Sequence, residues 1–159
     1  MYRSILLPLD GSDHAAKALP HAAGLARDGG RLTLLRVIHP IEELVGTRQP
    51  DLLSGVDLSE DVRAQEAFED ERAAAQRYLD ETSKSLSREG FEVQVKLVQG
   101  PPAEQILQVA QEIDADLVVM TAYGRSAAST PPKTGVFGRV VDAVLKSATV
   151  PVLVIKPWG

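Results

Sequence analysis

The chain has 159 residues, 44% of them hydrophobic, a length and composition that suit one compact α/β domain of ordinary size. Its 17 basic and 22 acidic residues give a net charge of −5 with no lysine or arginine run, which argues against a partner that needs a dense basic patch, such as nucleic acid or an anionic membrane. With no cysteine, disulfides, thiolate chemistry and cysteine-type zinc sites are excluded.

The first residues hold only a short apolar run before Pro8 and Asp10, which fits neither a signal peptide nor a membrane span and leads us to expect a cytoplasmic protein. Ser4 to Leu9 reads as a first strand, closed by the turn Asp10-Gly11-Ser12. Ser12 is suited to cap a helix with Asp13 in its first turn, and Ala15, Ala18, Leu19, Ala22, Ala23 and Ala26 carry that helix to about Arg27. Pro20 should kink it, and Gly29-Gly30 should end it. Leu32 to Ile38 is apolar at nearly every position, as a strand covered on both faces requires.

The pattern weakens from Ile41 to Ser59, where Gly46, Pro50 and Gly55 break any long element and a variable loop is expected. A long polar helix follows from Glu60 to about Arg88, with Phe68, Ala75, Leu79, Thr82 and Leu86 at helical spacing. Its stretch from Glu66 to Glu71, interleaved with Arg63 and Arg72, reads as a solvated face. Phe91, Val93, Val95 and Leu97 alternate as a third strand. Pro102 and Glu104 open the next helix, whose apolar face holds Ile106, Leu107, Val109, Ala110 and Ile113. Leu117 to Met120, Val136 to Lys146 and Val152 to Ile155 read as strand, helix and strand. Strands alternating with helices imply a parallel sheet with helices on both faces.

The segments Ile5-Leu-Leu-Pro-Leu-Asp-Gly-Ser12, Leu34-Leu-Arg-Val37, Gly100-x-Pro-Ala-Glu-x-Ile-Leu107, Ala115-Asp-Leu-Val-Val-Met120, Gly124-Arg125 and Val144 to Lys156 together resemble the universal stress protein family. The resemblance covers the chain apart from about Ile41 to Glu60. It implies a single domain with a five-stranded parallel sheet in the order 3-2-1-4-5, of the adenine nucleotide alpha hydrolase-like kind. The crevice between the carboxyl ends of strands one and four is then where an open α/β sheet binds its ligand. It also implies a homodimer paired through strand five, Val150 to Ile155, whose short apolar edge invites such pairing.

The family has ATP-binding and non-binding branches, distinguished after strand four by the motif glycine, two residues, glycine, nine residues, glycine, then serine or threonine. Here Thr121 takes the first place and Gly124 the second. Helix register puts the third at Gly138, with thirteen residues (Arg125 to Phe137) between it and Gly124, and Arg139 stands in the hydroxyl position. Pro131 and Pro132 lack N–H groups and cannot join a cradle of backbone donors, while Arg125, Lys133 and Arg139 supply cations that can bind phosphate.

By resemblance, Asp10 with the adjoining Pro8 lies near the ribose or adenine, and the Val37 backbone faces the adenine edge. The candidate site is therefore Pro8, Asp10, Val37, Thr121, Gly124, Arg125, Gly138 and Arg139, for ATP with Mg2+. Asp10 before Gly-Ser is also a good turn former, Thr121 can add a hydroxyl donor, and Met120 reads as core. The two expectations that stay open are an adenine-nucleotide-binding stress protein, at most a slow ATPase, and a nucleotide-independent module acting through protein partners.

No other motif competes. Lys133-Thr134 follows Pro132 rather than a P-loop glycine, and no G-x-G-x-x-G occurs. His14, His21 and His39 are not spaced as a metal pair, so no metal centre is expected. His39 reads as a solvated loop residue, and Ser12 as a cap rather than a nucleophile.

Overall fold

The computed structural model describes residues 2–40, 58–123 and 137–156. Its elements run β1 (Tyr2–Pro8), α1 (Asp13–Ala16), α2 (Ala18–Leu25), β2 (Ala26–Ile38), α3 (Leu58–Arg88), β3 (Glu92–Gln99), α4 (Pro102–Glu112), β4 (Leu117–Thr121), α5 (Arg139–Ser147) and β5 (Val152–Ile155). The strands form one sheet in the order β3-β2-β1-β4-β5, and each neighbouring pair is parallel. The expected order 3-2-1-4-5 is therefore the observed one.

β1 lies at the centre, and Ile5, Leu6 and Leu7 are fully buried. Alternation divides that run between two cores. Ile5 and Leu7 join Leu32, Leu34, Leu117 and Val119 under α1, α2 and α3. Leu6 joins Leu35, Val118 and Met120 under Ile106 and Val109 of α4 and Val141 and Val144 of α5. Helices thus cover both faces, and the apolar strands follow from having no solvent side.

The first helix is two pieces. α1 stops at Ala16 and α2 starts at Ala18, with Lys17 between them. α1 ends four residues before Pro20, where a missing N–H and a ring clash with the carbonyl of Ala16 are expected to act. Ser12 caps α1 as expected, its hydroxyl accepting from the Ala15 N–H at 3.1 Å. α2 ends at Leu25 rather than Arg27, because β2 already begins at Ala26. Register with β1 passes from Tyr2↔Ala26 to Ser4↔Arg31, so extra β2 residues bulge out around Gly29, whose φ of 78° is left-handed.

Other boundaries move by small steps. α3 begins at Leu58 against an expected Glu60, and β4 extends one residue to Thr121. α5 begins at Arg139 rather than Val136. Most of the variable loop expected over Ile41 to Ser59 lies outside the described residues, as do Gly124, Arg125, Pro131, Pro132, Lys133 and Thr134.

The amino end of the sheet is tied by side chains. Asp116 accepts from the backbone N–H groups of Arg3 at 2.8 Å and Ser4 at 3.0 Å. Its own N–H donates to the Ser4 carbonyl at 2.9 Å. The Ser4 hydroxyl donates to the Ile113 carbonyl at 3.3 Å. The turn between α4 and β4 is thereby fastened to the start of β1.

α3 is long but touches the sheet through few residues. Leu79 is its one residue with no exposure among those described, so truncating it leaves a cavity that the β1 side cannot fill. Leu79→Ala is expected to cost about 2–5 kcal/mol in urea unfolding. Leu145→Ala, at a side chain 39% exposed on α5, should stay within about 0.5 kcal/mol of the parent.

Candidate functional site

Parallel strands bring their carboxyl ends to one edge, and here β1, β2 and β4 open there into a cavity of about 880 Å³. Pro8, Asp10, Val37, Thr121, Gly138 and Arg139 all line it. Six residues picked from distant parts of the sequence are thus brought together. Gly124 and Arg125, the remaining two candidates, lie outside the described residues.

Asp10 follows the end of β1, and its Oδ1 accepts the Ser12 N–H at 2.9 Å. The turn role and the site position are therefore the same residue's work. Gly11, with φ of 81°, supplies the left-handed step that lets the chain leave the strand edge there. Thr121 ends β4, and its hydroxyl donates to the Tyr123 carbonyl at 2.8 Å. The hydroxyl donor expected to face a ligand is thus spent on closing the chain's own turn.

Gly138 is the N-cap of α5, and among the described residues no side chain caps that helix. Its N–H donates to the Ala122 carbonyl at 2.9 Å, which fastens the helix start to the end of β4. The first turn of a helix carries N–H groups with no intrahelical partner, and the aligned peptide dipoles make that end favourable for anions. Arg139, Val140 and Val141 present this first turn to the cavity. A Cβ added at Gly138 would come no closer than 3.4 Å to the Ala122 carbonyl, so no atom of the described residues demands glycine there.

The β2 side holds what the sequence reading missed. Arg36 is the one charge in the Leu32–Ile38 part of β2 and lies 8% exposed, its Nη1 donating to the Val37 carbonyl at 3.3 Å. Its Nη2 stands 3.7 Å from Oε1 of Glu71 on α3. Both residues line the cavity. Glu71 was expected on a solvated face; it is instead three residues from Phe68 and four from Ala75, on the helix face that meets the strand ends. Arg36 standing in a buried strand was the available signal, and the i, i+3 spacing from Phe68 was the second.

Met120 packs in the core as expected and also lines the cavity floor. His39 is exposed at the rim. Among the described residues no cluster of three or more histidines and carboxylates could hold a metal ion, and no helix is long and apolar enough to cross a membrane.

Behind the cavity, Tyr78 of α3 packs against the first core with its hydroxyl buried and unpartnered among the described residues. Burial pushes its phenol above the ordinary 10.0, and the Asp10 carboxylate pushes it further. The Thr82 hydroxyl and the Arg36 guanidinium pull the other way, and Asp13 adds a small upward push.

The universal stress protein family model matches residues 1–156. Among curated relatives, a universal stress protein of Methanocaldococcus jannaschii is 31% identical, over 98% of this chain and 96% of its own. Among solved structures, the universal stress protein UspA from Lactobacillus plantarum superposes with a TM-score of 0.76 at 25% identity, covering 98% of both chains. The universal stress protein from Archaeoglobus fulgidus in complex with dAMP shares the fold at 24% identity, with a TM-score of 0.61 and 98% of each chain covered.

The Tyr78 environment gives a titration test. Because its pKa is raised in the folded state, the native protein holds this proton more tightly than the unfolded chain does. Stability from this group is full below pH 10.0 and falls as pH rises from there through the raised folded value. A phenolate absorbance titration, with Tyr78→Phe as the blank, should place Tyr78 above 10.0. Asp10→Asn should bring it part of the way down and no further, since burial is the larger cause.

Proposed function

The chain belongs to the universal stress protein family, and from that premise and the geometry of the strand ends we propose that it binds an adenine nucleotide, with ATP and Mg2+ as the form to test first. One observation carries the reading: an uncapped helix start faces a cavity spanning the carboxyl ends of three parallel strands. β4 and β2 are two strand spacings apart, about 10 Å, which suits a nucleotide laid across β1. The phosphates then meet the first turn of α5 and the Arg139 cation. The ribose lies over Asp10, and the base rests by Val37 between the β2 end and Ile106. A protein of this fold in complex with dAMP supports the same class of ligand.

Mg2+ would arrive on the nucleotide phosphates, keeping several of its waters and needing no all-protein cage. The cavity's described carboxylates support binding rather than turnover. Asp10 is engaged by the Ser12 N–H, and Glu71 stands opposite Arg36 at the other end from α5. We therefore propose slow hydrolysis at most. We further propose a homodimer through β5, which occupies the sheet edge with all four residues partly exposed.

Two measurements test these readings. Titration calorimetry with ATP and Mg2+ should give saturable binding, and Gly138→Asp should weaken it at least about tenfold by placing a carboxylate where phosphate sits. The same substitution supplies the missing cap at a backbone φ of −57°, so thermal stability should hold or rise by a few tenths of a kcal/mol. No heat with either protein would favour the nucleotide-independent interaction module. For the dimer, light scattering should read twice the chain mass, and a stable monomer would overturn it.

A further inference from the structure

The carbonyl of Val37, a residue of β2 that lines the cavity, already receives the Arg36 Nη1 donor. A guanidinium beside that carbonyl turns this wall from accepting to donating. An amino group on a bound base then competes with Arg36 for that carbonyl, and a carboxylate beside it is the stronger acceptor. The Glu71 carboxylate is next to it: it lines the same cavity, its side chain is 26% exposed, and it stands 3.7 Å from Arg36 Nη2. That separation holds the two charges together without a hydrogen bond between them. An ionised carboxylate has about four acceptor positions, and among the described residues none of Glu71's receives a hydrogen bond.

We propose that Glu71 and Arg36 are the base-reading pair of this cavity, selecting a purine with an amino group at its six position over one with a keto oxygen. Glu71 accepts from the amino group while Arg36 donates to the adjacent ring nitrogen. The carboxylate acceptor and guanidinium donor lie side by side, as do the amino donor and ring acceptor on that base edge. A keto oxygen in the same pose faces a carboxylate with no proton between them, and the lone-pair repulsion leaves Glu71 desolvated and unmatched. This deepens the nucleotide reading and rests on it.

Burial of Arg36 makes a single substitution hazardous, because Glu71→Leu alone leaves a buried cation without its counter-charge. The double variant Arg36→Met/Glu71→Leu removes both charges and replaces them with apolar groups of similar reach. Calorimetry would compare ATP with inosine triphosphate, which differs in carrying the keto oxygen. The parent protein should favour ATP by about tenfold or more. The double variant should still bind both, through the intact α5 end, with the ratio reduced to within about twofold. A purely structural ion pair would not move that ratio. A parent that binds both nucleotides equally, or a double variant that keeps the preference, overturns the base-reading pair and leaves nucleotide binding standing. A parent that binds neither overturns both.

Discussion

The two-sided burial of β1 is the constraint on which this structure depends. A central strand whose alternate residues feed two separate cores cannot shift by one residue without exchanging the contents of both. It is hydrogen-bonded to β2 on one side and β4 on the other, always in parallel. Parallel pairing then requires crossovers, and crossovers return every strand with its carboxyl end at the same edge. Asp10, Val37 and Thr121 meet there because of that topology and not because of any attraction among themselves.

Much of this was legible before any coordinates. The apolar runs, the Ser12 cap, and the glycines and prolines at the element ends specify the strand and helix sequence. Gly138 is legible as the third glycine of the motif, but a helix expected from Val136 puts it inside the first turn, whereas the structure has it as the N-cap. What escaped was of two kinds. Pro20 was recognised, but its effect falls one turn earlier, at the carbonyl it would have clashed with, so the helix divides at Lys17. Arg36 and Glu71 escaped because a charge is ordinarily assigned to solvent. Each was read against its own element, and only the approach of α3 to the end of β2 gives the two a common surface.

The cavity's two ends differ in the physics they offer. At α5 the attraction comes from backbone dipoles and a surface cation, both weakened by salt and water. At β2 it comes from a largely buried guanidinium and a half-buried carboxylate, where screening is weaker and mismatches cost more. In the proposed binding mode, affinity would accordingly be drawn mostly from the first end and discrimination from the second. Thr121 contributes to neither directly: its hydroxyl fixes the exit of β4 through the Tyr123 carbonyl.

The Asp116 clamp has a consequence for how such a protein changes over time. One carboxylate and the Ser4 hydroxyl seal the amino edge, so the sheet's cohesion draws on contacts at the far side from the cavity. In the proposed binding mode, alterations around Gly138 or Arg139 would be felt by a ligand before they are felt by the sheet. Lineages can therefore exchange one guest molecule for another, or abandon guests altogether, while inheriting the same scaffold unharmed.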